Sequence, residues 1–165
     1  MFYWKHLDID PNEIKRIQNL YRPRMPKNMH FFQALNIPLT EFLGYEVQRF
    51  VLIQVAPGAE GRIHTDWRPT DYGDQLALQI PLDNCDEAIT EMWESSYDPP
   101  VQYTDNGQPY RFFDPEKCRK VTEFRVTKPV LFRTDIPHSV SNPGTKPRRA
   151  ISVRFKKDPW EWVNE

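Results

Sequence analysis

His64-Thr65-Asp66 sets an imidazole and a carboxylate two residues apart. On an extended chain that spacing turns both side chains to one face, where they can give one metal ion two adjacent ligands. A third ligand is needed. The chain has four histidines, His6, His30, His64 and His138. The first two fall in a helical N-terminal part. His138 follows a strand-like run, in Asp135-Ile136-Pro137-His138-Ser139-Val140, and is the natural third ligand. H-x-D by itself is a weak signal that chance produces often. The ordered set, with strand-like sequence at each member, carries the weight.

Two histidines and one carboxylate on one face of an ion leave its remaining positions open, the facial arrangement of non-haem Fe(II) sites. A bidentate oxo-acid can take two of those positions and dioxygen another. The far carboxylate of such an acid needs a counter-charge, and the planar fork of arginine suits it. Arg148 lies ten residues after His138 and Arg149 eleven, at the start of RRAISVRF. With a two-residue period, Arg148, Ala150, Ser152 and Arg154 share one face of that strand, and Arg149, Ile151, Val153 and Phe155 the other. The apolar second set should pack on a core, and the first set should face a polar cavity or solvent. The plainer readings are a backbone-bonded histidine at a strand end and a solvated basic patch.

The elements that must hold these residues are mostly strands. Strand-like runs cover Tyr45–Val55, Arg62–Asp66, Gln75–Leu82, Val121–Val126, Val130–Thr134 and Arg148–Phe155. Before them, Asp10-Pro11-Asn12-Glu13 has the form of a helix start, with Asp10 as cap, Pro11 at the first helical position and Glu13 able to close a capping box. Ile14, Ile17, Leu20 and Tyr21 follow at helical spacing, and the helix should end before Pro23. Arg22 to Asn28 reads as a linker, and a second short helix is expected near Leu39 to Leu43, stopped by Gly44. Five prolines and glycines between Ser95 and Pro115 (Pro99, Pro100, Gly107, Pro109, Pro115) predict a long loop near 95–117. The expectation is one domain over 1–165, with a helical flank at 1–44 and a β core at 45–157. No long helical pattern separates the strands, which argues against a parallel βαβ fold.

Bulk properties narrow the function classes. Apolar residues at 39% and aromatics at 13% point to a packed globule. A net charge of -1 gives no general basic face, so no nucleic-acid partner is expected. Cys85 and Cys118 form no CxxC pair and read as free thiols in a reducing compartment. No basic start is followed by an apolar run, and no segment approaches the ~20 apolar residues of a membrane span. A cytoplasmic protein without membrane contact is the expectation. Trp67 and Trp93 could wall a site or pack a core, Tyr110, Phe112 and Phe113 should pin the long loop, and Asn142 is read as a turn residue or pocket lining.

GRIHTDW, PVLFRTDIPHSVSN and RRAISVRF together resemble the small 2-oxoglutarate- and Fe(II)-dependent dioxygenases. The likeness runs from Tyr45 to Phe155 and includes the Pro57-Gly58 turn, whose glycine stands six residues before His64. It implies a mainly β protein, a double-stranded β-helix (jelly-roll, cupin-like) with N-terminal flanking helices and the metal at the barrel mouth. It implies His64, Asp66 and His138 as catalytic iron ligands, and Fe(II), 2-oxoglutarate and O2 as cofactor and co-substrates of a hydroxylation. Arg148 would anchor the co-substrate carboxylate, with Arg149 or Arg154 as alternatives. Many members carry a tyrosine before the Pro-Gly turn. This chain has Ile53-Gln54-Val55, and Gln54 could donate a hydrogen bond instead. The substrate, a small molecule or a peptide, is not readable. Two alternatives stand beside this one. One is a cupin-like metal protein without 2-oxoglutarate, with Asp66 in place of a second histidine and Asp71 near a missing glutamate. The other is a metal-free jelly-roll binding domain, in which the three side chains need not converge.

Overall fold

A computed structural model describes residues 1–24, 34–36, 39–66, 75–103, 105, 107 and 109–164. His30, Trp67, Asp71 and the 25–28 part of the linker lie outside these residues. In chain order the elements are β1 (Trp4–His6), α1 (Pro11–Tyr21), β2 (Ala34–Asn36), β3 (Glu41–Phe42), β4 (Tyr45–Val55), β5 (His64–Asp66), β6 (Leu76–Asp83), β7 (Ile89–Ser95), β8 (Gln102–Tyr103), β9 (Pro109–Phe112), β10 (Cys118–Phe124), β11 (Val130–Arg133), β12 (His138–Ser141), β13 (Arg148–Phe155) and α2 (Glu161–Asn164). Single 3-10 turns follow α1, at Arg22–Arg24, and precede β10, at Pro115–Lys117.

The strands form two sheets, and the chain folds as a double-stranded β-helix. The larger sheet has the order β1-β11-β6-β13-β4-β2, with β3 paired to β4. The smaller has the order β10-β7-β12-β5-β9-β8. The named strand pairs are all antiparallel. Neighbours in the larger sheet are far apart in sequence: β13 lies between β6 and β4, with Ile151 opposite both Leu52 and Ile80.

Alternation along β13 separates two packing layers. Ile151, Val153 and Phe155 join Leu76, Leu78, Ile80, Phe50 and Leu52 on the outer face, where Ile17 and Tyr21 of α1 cover them. Each such fully buried aliphatic or aromatic side chain contributes roughly 1.5–3 kcal/mol. Ala150 faces inward with Ala77, Met92, Phe124, Val130 and Phe132, which come from both sheets. The inner layer is therefore the space between the sheets. Arg148, Ser152 and Arg154 share the parity of Ala150, and all three are buried.

Asp10 caps α1 by accepting from Asn12 N–H at 2.8 Å, with Pro11 in the first turn. Glu13 does not close a capping box; it pairs with Arg16 at 2.9 Å. Three expectations change. The segment near Leu39 to Leu43 is not helical. Glu41 and Phe42 pair with Glu46 and Tyr45 in a hairpin. Leu43 (φ 52) and Gly44 (φ 78) form its turn, the doubly left-handed geometry that matches strand twist. A glycine that can stop a helix can equally turn a hairpin. His6 likewise lies on a strand, β1, and the N-terminal flank mixes one long helix with short strands. The 95–117 stretch, expected as a loop, contains β8 and β9. Pro109 opens β9 at a strand start, where its missing N–H is tolerated, and β9 pairs with the strand that carries His64.

Candidate metal centre

His64 and His138 stand directly opposite each other where β5 meets β12. Their ring centroids are 4.5 Å apart. Asp66 completes the group: one ligand atom from each of His64, Asp66 and His138 lies within 4.8 Å of the others. The H-x-D spacing thus does on β5 what period two requires, and the cross-strand pairing supplies the third residue.

Backbone carbonyls orient both rings in the same way. His64 Nδ1 lies 2.9 Å from Arg62 O, and His138 Nδ1 lies 2.9 Å from Ile136 O. A carbonyl oxygen only accepts, so Nδ1 carries the proton in each ring and Nε2 keeps its lone pair for a metal. The Phe132 ring edge packs against His138 at 5.4 Å. Asp66 N–H donates to Thr134 O at 3.0 Å, tying β5 to the segment that leads to His138.

The carboxylate is held as firmly as the rings. Asp66 Oδ2 accepts from Arg154 Nη2, while Oδ1 lies 3.6 Å from His64 Nε2. Arg154 Nη1 in turn donates to Thr134 Oγ1 at 2.5 Å and to Leu76 O at 3.5 Å. Burial alone would raise the Asp66 pKa; Arg154, His138, His64 and Arg49 outweigh it and hold the group at about 2. Burial, and then the neighbouring His64, push His138 down to about 4, against the pull of Asp66. Near neutral pH both groups are therefore in their metal-binding forms. Two imidazole nitrogens and one carboxylate oxygen, converging from one side, are a donor set that fits a divalent first-row metal.

The same inner layer holds a buried cation, Arg148. Arg148 is only 1% exposed, and its Nη2 donates to the neutral Gln79 Oε1 at 2.7 Å. Arg148 Nε has no hydrogen-bond partner among the described residues. No carboxylate pairs with it among the described residues. Burial pushes its pKa down, opposed mainly by Cys85. Small residues, Ala77, Ala150 and Ser152, share the inner layer.

The remaining candidates sit elsewhere. Arg149 and Gln54 face each other across β13 and β4, on the outer side of the sheet, and Arg149 Nε donates to Gln54 Oε1 at 2.8 Å. Arg149 also lies 3.6 Å from Asp83. Arg154 shares the interior with Arg148, but its donors go to Asp66, Thr134 and Leu76. Met92 opposes His138, so Trp93 lies on the other face of β7, where it donates to Ser139 Oγ at 3.0 Å. Asn142 clamps the turn before β13, bonding Val55 O, Lys146 O and Gly144 N at 3.0, 2.8 and 3.1 Å. Gly58 (φ 71) makes the left-handed turn before β5 and donates to Asn142 O at 2.8 Å.

Other residues beside the cluster are not evident from motif spacing. Tyr110 opposes Asp66 and Phe112 opposes His64 across β9, so both share the face of the ligands. Their rings lie 4.4 Å apart, and the Arg62 guanidinium sits 3.7 Å over Phe112. The sequence signal was available in principle: Tyr110 and Phe112 alternate with Arg111 as a short strand should.

The fold and this cluster define a double-stranded β-helix with a candidate His-Asp-His metal centre. No protein-family model and no functionally curated protein matches the sequence. Solved structures do match in fold. The epimerase SnoN, in complex with Fe3+, alpha ketoglutarate and nogalamycin RO, superposes with a TM-score of 0.62 at 13% identity, covering 94% of this chain and 79% of that one. EvdO2 from Micromonospora carbonacea var. aurantiaca, complexed with 2-oxoglutarate, gives 0.59 at 14% identity, covering 98% and 92%. A prolyl-4-hydroxylase from Pseudomonas putida gives 0.55 at 16% identity, covering 96% and 94%. At these identities the likeness is one of fold.

Proposed function

We propose that this protein is a 2-oxoglutarate- and Fe(II)-dependent oxygenase that hydroxylates a small molecule or a peptide. The observation that carries the reading is Arg148, a buried cation that pairs with no carboxylate among the described residues, in the same interior as a three-ligand cluster. A charge taken out of water without a partner costs several kcal/mol, so the position calls for an anionic ligand. The ligand sets of SnoN and EvdO2, named with their structures, support the choice of 2-oxoglutarate.

His64 and His138 would hold the iron through Nε2, and Asp66 through Oδ1. Arg148 would pair with the far carboxylate of 2-oxoglutarate, steadied by Gln79. Iron with 2-oxoglutarate and O2 supplies the oxidant for C–H hydroxylation, with succinate and CO2 as co-products. The chain's own part is to fix the ligand atoms, exclude water from the interior and present substrate along the Tyr110–Phe112 wall. Arg154 serves Asp66 in this reading, and Arg149 and Gln54 serve the outer face. No helix among the described residues is long and apolar enough to cross a membrane. The free thiols Cys85 and Cys118 fit a reducing, cytoplasmic setting.

Anaerobic addition of Fe(II) and then 2-oxoglutarate tests the proposal. The visible charge-transfer band of the chelate should form in the native protein and vanish in His138→Ala. Iron binding without the band would mark a metal protein that does not take 2-oxoglutarate. No iron binding at all would mean that the cluster is structural and the proposal wrong.

A further inference from the structure

We infer that Arg154 is a positioning residue that keeps Asp66 a one-oxygen ligand, and so holds a coordination position open for the co-substrate; this rests on the oxygenase reading above. A carboxylate can bind a metal through one oxygen or through both. Three protein donors leave an octahedral ion three positions, and a two-oxygen Asp66 would consume one of them. A chelating 2-oxoglutarate and dioxygen together need all three.

The geometry denies Asp66 that second oxygen. Oδ2 is occupied by Arg154 Nη2, and Oδ1 is the oxygen near His64. The guanidinium cannot easily turn away, because Nη1 is fixed by Thr134 Oγ1 and Leu76 O. Arg154 is 5% exposed, so its own donors meet little water, while the Asp66 side chain is 40% exposed. A planar fork with one prong anchored and one on the carboxylate suits this task, and an ammonium on a flexible stem suits it less. Contrast within one strand sharpens the point. Among the described residues Arg148 pairs with no carboxylate and its Nε has no hydrogen-bond partner, whereas Arg154 has its Nη donors committed to protein acceptors. One inward arginine is left to a ligand and the other is spent on a ligand residue.

A purely structural ion pair would make a different prediction. Its loss would lower thermal stability, metal affinity and co-substrate affinity together. Loss of a denticity control separates them. The experiment measures Co(II) affinity by its visible spectrum, 2-oxoglutarate affinity by the anaerobic Fe(II) chelate band, and thermal midpoint, in the native chain, Arg154→Met and Arg154→Lys. In Arg154→Met, Co(II) should bind as tightly as native or tighter, while the dissociation constant for 2-oxoglutarate rises on the order of tenfold, the lower end of the loss in activity that removing an outer partner of a metal ligand causes. Arg154→Lys keeps a charged donor and should recover most of the co-substrate affinity. Where Arg154→Met fails to fold, Thr134→Val, which frees Nη1, should shift 2-oxoglutarate affinity in the same direction by less. Native 2-oxoglutarate affinity in Arg154→Met, or in Thr134→Val where that variant stands in, overturns the inference. A parallel fall of metal affinity, co-substrate affinity and thermal midpoint also overturns it. Absence of the band in the native protein removes the oxygenase reading itself, and this inference with it.

Discussion

Replacing Arg148 with methionine should raise the stability of the ligand-free protein and make it nearly blind to 2-oxoglutarate. The side chain is 1% exposed and has one neutral acceptor, Gln79, at 2.7 Å. Exchanging a buried charge for an apolar side chain of similar length stabilises by about 1–4 kcal/mol. Losing the hydrogen bond to Gln79 offsets about 1.5 kcal/mol of that. The net change spans about -0.5 to 2.5 kcal/mol and centres on ~1 kcal/mol, or roughly 2–4 °C in thermal midpoint for a domain of this size. The effect on ligand is opposite and larger. Truncating one partner of a buried charge pair costs about 2–5 kcal/mol, so the dissociation constant should rise by about 30-fold or more. At a concentration of 100 times its dissociation constant, 2-oxoglutarate stabilises the native protein by about 2.7 kcal/mol, and at only 3 times by under ~1 kcal/mol. Thermal melts of both proteins with Mn(II), with and without 2-oxoglutarate and without oxygen, give both quantities. A lower midpoint in the ligand-free variant, together with an undiminished 2-oxoglutarate shift, would show that Arg148 is a structural residue and that the co-substrate carboxylate binds elsewhere.

Stability without metal should depend on pH through His138. Its folded pKa, about 4, lies below the unfolded value of 6.5, so the stability that follows from the neutral ring is complete above pH 6.5 and is lost as pH falls toward 4, by at most roughly 3 kcal/mol. Urea melts across that range should show the loss, and His138→Gln should flatten it; an unchanged slope in the variant would assign the dependence to other groups. Asp66, held at about 2, adds a further loss only below its unfolded value, and metal affinity should fall steeply below pH 4. Asp158 accepts from Gln75 and Leu76 N–H at 2.8 and 3.4 Å and is 4% exposed. Asp158→Ala should cost about 1–3 kcal/mol, read as a lower urea midpoint with an unchanged slope.

Period two and residue type made much of this protein legible. The same alternation that put His64 and Asp66 on one face also put Arg148, Ala150, Ser152 and Arg154 together, and the structure shows that face lining the interior. Applied across the β4–β13 ladder, it would also have separated Gln54 and Arg149 from Arg148, but only with the register, which sets Arg149 opposite Gln54. Register is a tertiary fact that a strand's own residues do not fix. The partner of Arg154 was hidden for the same reason: Asp66 stands 88 residues away and Thr134 stands 20 away. At Leu43-Gly44 the local signal was ambiguous between a helix stop and a hairpin turn. In the 95–117 stretch, proline and glycine density outweighed the short alternation that makes Tyr110 and Phe112 a strand.

The strand Arg148–Phe155 follows the other strands of the larger sheet in the chain, yet it lies in the middle of that sheet. Until Arg148–Phe155 has left the ribosome, β4 and β6 have no common neighbour, and each offers a bare edge to any passing strand. The same delay governs the metal centre. His64 and Asp66 are made early, but Asp66 meets the arginine that governs its second oxygen only when β13 docks. The three candidate ligands precede this strand in sequence, so before it docks both oxygens of Asp66 are free of Arg154. Docking of that strand joins β4 to β6 and engages the second oxygen of Asp66 in a single event.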